Sequence, residues 1–211
     1  MARMTTELSP ARRYRGAEAE ERRAQRRTQL IAAAVQVYGE RGYQNATVKA
    51  VCEAAGLTER YFYESFANSE ALLLASFETV TDLLLQKIEH AGEEADGDGE
   101  HRALAMLRTY FGTLQCEPRS ARVFLVEIRG VSKPVDEALG LSLRAFGGLL
   151  SHVLLPEGKE PDPMLLAGVA GGIIHVALHW IRHGYAPDVD TVAMTALQLA
   201  LVLIRSQGQG S

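Results

Sequence analysis

Residues 47–66 constrain the fold more than any other part of the chain, because they hold two short apolar-patterned segments separated by Gly56. Thr47 and Thr58 stand at the starts of these segments, where a hydroxyl can accept hydrogen bonds from the free backbone N–H groups of a first helical turn. Gly56 lies just after the first segment, where a residue in the left-handed conformation ends a helix. The pattern predicts a helix-turn-helix over 47–66.

The two segments also carry apolar faces that can pack together. Phe62 and Phe66 are predicted to point inward, which leaves Tyr61 and Tyr63 pointing outward. The full inward set is Val48, Val51, Cys52, Ala55, Leu57, Phe62 and Phe66. In a motif of this kind the first helix lies against DNA phosphates, and the second enters the major groove with its N-terminal residues at base edges.

Helical spacing dominates the remaining chain, and the alternating strands with Asn-Gly or Asp-Gly turns that mark β-hairpins are absent. The sequence therefore predicts an all-α fold of about nine helices. They are a helix from Leu30 closed by Gly42, the pair at 47–54 and 58–65, a longer helix from Asn68 through Ile88, and helices near 101–115, 118–129, 135–155, 162–183 and 188–206. Residues 92–100 are acidic and glycine-rich, and they are predicted to form a solvated linker.

Residues from about 22 to 80 resemble the DNA-binding domain of TetR-family transcriptional regulators. The resemblance rests on the order of the features that flank the helix-turn-helix. The matching features are Glu40-Arg41-Gly42-Tyr43, Ala46-Thr47-Val48, Ala54-Ala55-Gly56-Leu57, Phe62-Tyr63, Phe66 and Glu70-Ala71-Leu72. It implies a three-helix DNA-binding head at 22–80, preceded by a basic arm at 1–21 and followed by a larger ligand-binding and dimerisation domain at 81–211.

The resemblance also assigns roles to residues of the head. Thr47 and Tyr63 correspond to phosphate-contacting hydroxyls, and Arg60 is the expected base reader because a guanidinium can bond a guanine bidentately. The implied DNA-binding set is Thr47, Lys49, Thr58, Glu59, Arg60, Tyr61 and Tyr63. The family often has Lys at the positions of Glu59 and Ser69, so phosphate attraction is expected to come more from the Arg-rich arm.

The charge distribution agrees with DNA binding at one end. The whole chain has 22 Lys and Arg against 26 Asp and Glu, a net charge of −4 that by itself argues against a nucleic-acid partner. Residues 10–27, however, contain seven Arg and three Glu, whereas most of the acidic excess follows residue 70. A basic segment ahead of an acidic body is typical of a chain that binds nucleic acid at one end.

The last two predicted helices, 162–183 and 188–206, are apolar nearly all round, so each must be covered on more than one side. Ala167, Gly168, Gly171 and Gly172 form a small-residue surface that permits close approach of another helix. Both features favour a homodimer through these helices, as the family implies. A helix-turn-helix dimer also reads two half-sites of a palindromic double-stranded operator.

Helices 101–155 are expected to enclose a pocket for a small, partly apolar effector, since ligand pockets combine aromatic walls with a few polar groups. The candidate lining residues are Tyr110, Phe111, Phe124, Glu127, Phe146, His152, His175 and Trp180. Together these features predict a cytoplasmic, ligand-responsive repressor without enzymatic activity, cofactor, metal or membrane span.

Two other readings are open at the level of sequence. His175, His179 and His183 share a helix face, which suggests an all-helical metalloprotein, although no Glu follows His175 as a metalloprotease would need. The apolar C-terminal helices would also suit a helical protein-interaction scaffold. Cys52 and Cys116 are too few for a disulfide framework, and neither has a setting that favours redox sensing.

Overall fold

The structure is a computed structural model that describes residues 10–207. Residues 1–9, which include the beginning of the predicted arm, and residues 208–211 lie outside the described part. Within residues 10–207 every regular element is helical. The all-α fold, with an N-terminal helix-turn-helix head and a larger helical body, is therefore confirmed.

The head is built around its first helix, α1, which packs against each of the next three helices. Asn68 caps the fourth helix by accepting a hydrogen bond from the Ala71 N–H at 2.8 Å, so the helix begins where the sequence places it. The elements are α1 (Pro10–Arg41), a 3-10 turn (Tyr43–Asn45), α2 (Val48–Ala55), α3 (Glu59–Ser65) and α4 (Ser69–Glu94). The long α4 continues from the head into the body.

The body surrounds its central helix α5, which packs against α4, α7 and α9. Helix α8 packs against α7 and α9 on the other side. The elements are α5 (Gly99–Cys116), α6 (Pro118–Arg122), a π-helical turn (Val123–Glu127), α7 (Lys133–Leu154), α8 (Pro163–Arg182), α9 (Val189–Ala200) and a short α10 (Val202–Gln207). The predicted helix at 118–129 is thus α6 followed by a π turn, and the one predicted at 188–206 is divided after Ala200.

The connection between α4 and α5 is shorter than predicted. Gly92, taken from sequence as the start of a linker, is buried within α4. A Cβ added there would lie 2.8 Å from the Met106 sulfur of α5. Glycine at this position therefore permits close packing of two helices and does not begin a flexible segment.

The Arg-rich stretch 10–27 is part of the first helix. Helix α1 begins at Pro10, so residues 10–27 are helical and continuous with the helix predicted from Leu30. Arg, Ala, Glu and Gln dominate this stretch, and all are strong helix formers. The basic charges are consequently carried on a helix that packs against the rest of the head.

Among the described helices, α8 alone has the length and composition of a membrane span. One side of it is nevertheless buried in the body through Val169, Ile173, Ala177 and Trp180. A core helix of a protein body satisfies the same length and composition criteria, so α8 is a packing helix of this fold.

Candidate functional site

The turn between α2 and α3 has the local geometry that the sequence predicts. The Thr47 hydroxyl accepts a hydrogen bond from the Ala50 N–H at 3.1 Å, and Gly56 is left-handed with φ 66° and ψ 27°. Thr58 is the residue before α3, but its hydroxyl makes no capping hydrogen bond. The first predicted N-cap is confirmed, and the second is confirmed in position only.

The faces that join α2 and α3 are apolar and closed to solvent. Val51, Cys52, Phe62 and Phe66 are all buried, and the Phe62 and Phe66 ring centroids are 6.0 Å apart. Burial, and then the charge of Glu59, raise the pKa of the Cys52 thiol. The reactive thiolate is therefore disfavoured at neutral pH, which argues against redox sensing at this residue.

The opposite face of the motif is exposed. Tyr63 keeps 60% of its surface accessible although it is a large aromatic residue. Lys49 pairs loosely with Glu53 at 3.9 Å, and the Arg60 Nε lies 3.0 Å from the Glu64 carboxylate. The exposed members of the predicted DNA-binding set are Thr47, Lys49, Thr58, Glu59, Arg60 and Tyr63. Their contacts with DNA remain predictions.

Tyr61 differs from the other predicted DNA-binding residues. Its ring is half-buried because the Arg26 guanidinium of α1 lies 4.5 Å from the ring centroid. Tyr61 was predicted to point outward, and in the structure its ring is partly covered by Arg26. The sequence around Tyr61 does not reveal this contact, because Arg26 belongs to α1, which ends before α2 begins.

Four of the predicted effector-binding residues form one aromatic cluster in the body. The Tyr110 ring centroid lies 4.9 Å from that of Phe111 and 5.1 Å from that of Phe146, and Phe111 lies 5.5 Å from Trp180. The Tyr110 hydroxyl is buried without a hydrogen-bond partner, and burial raises its pKa. It is thus a neutral, unsatisfied donor among aromatic rings.

The other four predicted effector residues lie elsewhere. Phe124 stacks on Phe77 of α4, with centroids 5.9 Å apart. His152 is exposed beside a surface groove of about 640 Å³ next to the loop that precedes α8. His175 is exposed on α8, on the rim of a depression of about 260 Å³. These positions lie outside the aromatic cluster.

Glu127 lies at the junction of head and body. Its carboxylate accepts hydrogen bonds from the Tyr43 backbone N–H at 2.7 Å and from the Arg122 Nε at 2.8 Å. Arg122 in turn donates to the backbone carbonyls of Gly39 and Glu40 near the end of α1, each at 3.3 Å. We call this arrangement the Arg122–Glu127 clamp, and it places Glu127 away from the aromatic cluster with which its pocket role was predicted.

Further contacts surround the clamp. Arg119 pairs with Glu40 at 2.7 Å, and a Cβ on Gly39 would lie 2.5 Å from the Arg119 Cβ. The Ser132 hydroxyl donates to the Glu70 carboxylate at 2.7 Å. Residues 119–132 of the body are thus fixed to both α1 and α4 of the head. Sequence reasoning missed Arg119, Arg122 and Tyr43, because their partners are remote along the chain.

The three histidines do not converge on a common point. The His179 and His183 rings stack with centroids 4.0 Å apart, and the His183 Nδ1 lies 2.7 Å from the His179 carbonyl oxygen. Across residues 10–207 no group of three or more His, Cys, Asp or Glu side chains could hold a metal ion.

An exposed face of α8 and α9 carries small and apolar residues. A Cβ on Gly168 or Gly171 would meet no atom within 4 Å, and Met164 and Met194 are 82% and 44% exposed. Their spacing places Met164, Gly168, Gly171 and His175 along one side of α8. This side is open to close approach by another helix.

Known proteins resemble this chain in the helix-turn-helix head and in the helical body. The family described as "Bacterial regulatory proteins, tetR family" matches residues 30–76, which include the whole helix-turn-helix. Residues 30–76 therefore have the DNA-binding domain of a TetR-family regulator. The chain is a DNA-binding transcriptional regulator, and neither the metalloprotein nor the scaffold interpretation is favoured.

Curated relatives of this chain match it across both head and body. The fatty acid metabolism regulator protein of Bacillus subtilis is 24% identical over 178 residues, which cover 81% of this chain and 91% of the relative. The HTH-type transcriptional activator FasR of Mycolicibacterium smegmatis is also 24% identical, covering 84% of this chain and 82% of the relative.

Two solved structures share the fold over most of their length. FadR from Bacillus subtilis, solved with stearoyl-CoA, gives a TM-score of 0.69 at 21% identity, covering 82% of this chain and 96% of that one. FadR from Bacillus halodurans, a fatty acid degradation regulator, gives 0.70 at 23% identity, covering 83% and 94%. At these identities the likeness shows the fold alone.

Proposed function

We propose that this protein is a cytoplasmic repressor that binds a palindromic operator as a homodimer and leaves it when a long-chain acyl thioester binds the body. The observation that carries DNA recognition is the two-sided helix-turn-helix. Its Phe62 side is buried in the head, while Arg60 and Tyr63 project from the other side. An exposed guanidinium near the start of the second helix suits guanine recognition in the major groove.

Dimerisation is supported by the open face of α8 and α9. Helices can approach closely where Gly168 and Gly171 leave space, and burial of Met164 and Met194 would remove apolar surface from water. A two-fold axis through this four-helix contact would present two heads to two half-sites. The interface proposed here is the one expected for helices 162–183 and 188–206.

The effector class is suggested by the relatives and by the chemistry of the aromatic cluster. One relative is a fatty acid metabolism regulator, and one solved neighbour holds stearoyl-CoA. In this chain an acyl tail would pack among Phe111, Phe146 and Trp180, and its carbonyl could accept from the unpartnered Tyr110 hydroxyl. A buried donor without an acceptor is costly, so a ligand that satisfies it gains free energy.

The rings of the cluster are packed against one another, so an acyl tail can enter only if body helices separate. Such movement would reach the head through α4 and through the Arg122–Glu127 clamp, because both join the two parts. The ligand shifts the protein between two arrangements only to the extent that it binds them unequally. We propose that the arrangement with ligand separates the two heads to a distance that no longer fits the operator.

The test begins with a duplex that the purified protein selects from random DNA. Fluorescence anisotropy of that labelled duplex is then followed while stearoyl-CoA, acetyl-CoA, free CoA or stearate is added. We expect stearoyl-CoA to release the DNA and the three controls to leave it bound. DNA that stays bound in stearoyl-CoA would refute the proposed effector, whereas failure to select any duplex would refute the DNA-binding assignment.

A further inference from the structure

The recognition helix α3 is short and lacks a cation of its own at its C-terminal end. It has seven residues and no basic residue in its last turn. Short helices are marginal without tertiary support, and their last carbonyl groups need partners from outside the helix. In this protein the partners come from the Arg-rich half of α1.

Two arginines of α1 donate directly to those carbonyl groups. The Arg23 Nη2 lies 2.7 Å from the Glu64 carbonyl oxygen, and the Arg27 Nη1 lies 3.3 Å from the Ser65 carbonyl oxygen. Cations at a helix C-terminus are stabilising because the carbonyl ends carry partial negative charge. Arg23 and Arg27 thus act as a C-cap supplied by another helix.

The same arginine cluster covers aromatic rings of the motif. The Arg27 guanidinium lies 4.3 Å from the Phe66 ring centroid, and that of Arg26 lies 4.5 Å from the Tyr61 centroid. These distances are within the range of cation–π attraction. The contacts fix both the end of α3 and the residue after it against α1.

A third set of contacts leads to the expected base reader. The Arg26 Nη2 lies 4.0 Å from one Glu64 carboxylate oxygen, and the Arg60 Nε lies 3.0 Å from the other. Glu64 therefore connects the α1 arginines to the Arg60 side chain. The Arg60 side chain is 83% exposed, so this pair biases its orientation by a factor of about two.

We propose that Arg23, Arg26 and Arg27 form a brace that positions the recognition helix and Arg60, and that their main role is not to bind DNA phosphates. The proposal rests on the DNA-binding function. It changes the role expected for these three arginines of the Arg-rich stretch 10–27. Their charges increase sequence selectivity, because a misplaced α3 loses base contacts while phosphate contacts made elsewhere persist.

The two roles predict different salt behaviour. A cation that neutralises a phosphate releases counterions, and its removal lowers the slope of log affinity against log salt by about 0.9. It also weakens binding about equally on all sequences. Removal of a brace instead weakens binding to the selected duplex and leaves binding to random duplex DNA, with its salt slope, unchanged.

The experiment compares R23A, R27A and the double variant with R22A. Arg22 lies on the same helix, is mostly exposed and pairs with Glu18 of α1. R22A is therefore the matched control, because it removes one positive charge from α1 without removing a contact to α3. We expect each single brace variant to bind the selected duplex about tenfold more weakly, as loss of a charged hydrogen bond implies. Binding to random duplex should stay within a factor of about two of wild type.

Equal losses on both DNAs together with a lower salt slope would overturn the brace and assign the arginines to phosphates. Wild-type affinity of both single variants for the selected duplex would overturn it as well. Amide hydrogen exchange of the free protein gives a second, DNA-independent measurement: α3 amides should exchange faster in R23A and R27A but not in R22A. Unchanged exchange in the brace variants would refute the proposal even if no duplex were ever selected.

Discussion

Replacement of Glu127 by Ala tests the connection between effector and operator most sharply. The change leaves the Tyr43 N–H without its acceptor and removes the partner of the Arg122 Nε. Loss of a partner for a buried donor costs about 1–3 kcal/mol, and only 10% of the Glu127 side chain is exposed. Because Arg122 is 40% exposed and can be rehydrated, we expect about 2 kcal/mol in all.

That loss has two measurable consequences. In a protein of this size about 2 kcal/mol lowers the melting temperature by roughly 4–8 °C. If the clamp transmits the effector signal, E127A also removes about 2 kcal/mol from the coupling free energy between the effector site and the operator site. That energy corresponds to a factor of about 30 in an equilibrium constant. The ratio of operator affinities without and with stearoyl-CoA should therefore fall by up to about 30-fold in E127A.

The matched control is D190A, which breaks the 2.7 Å ion pair between Arg108 and Asp190 within the body. Both of these side chains are well exposed, so this pair contributes little to stability. It also has no contact with the head, so D190A should keep the wild-type affinity ratio. An E127A protein that melts several degrees lower yet keeps the full ratio would refute the clamp as the route of coupling.

Three further expectations concern other parts of the molecule. Y110F should weaken stearoyl-CoA binding about fivefold, the value of a neutral hydrogen bond, without lowering stability, since the hydroxyl has no partner in the free protein; calorimetric titration measures it. G39A should destabilise the fold by about 1–3 kcal/mol through overpacking against Arg119, as thermal unfolding would reveal. G168L should raise the dimer dissociation constant at least about tenfold by blocking helix approach. G148L, at another glycine with open space around it, should leave that constant unchanged, and sedimentation equilibrium measures both variants.

The head could be predicted closely because its signals are local. Thr47 and Gly56 act on backbone groups within three or four positions of themselves, and the apolar spacing that buries Phe62 repeats within one helix. Such features are visible in any short window of sequence. The bounds of α2 and α3 consequently agree with the predicted segments to within about one residue.

The all-α architecture of the body could be predicted, but its long-range side-chain contacts could not. Glu127 was expected to be a polar group of a pocket, but the π-helical turn brings residues five apart together and pairs it with Arg122. Its other partner, the Tyr43 N–H, is 84 positions away. Likewise, the composition of residues 10–27 indicates positive charge, but it does not reveal that Arg23 and Arg27 are used on α3.

The central claim is that the exposed face of α3 reads DNA sequence, and one measurement tests it most directly. R60A and Y63A are compared with wild type for retention of the selected duplex over random duplex in a gel-shift titration, with K133A as a control on an 88% exposed side chain of α7. We expect R60A and Y63A to lose selective retention, while K133A binds like wild type. Selective binding by both head variants at wild-type strength would contradict it.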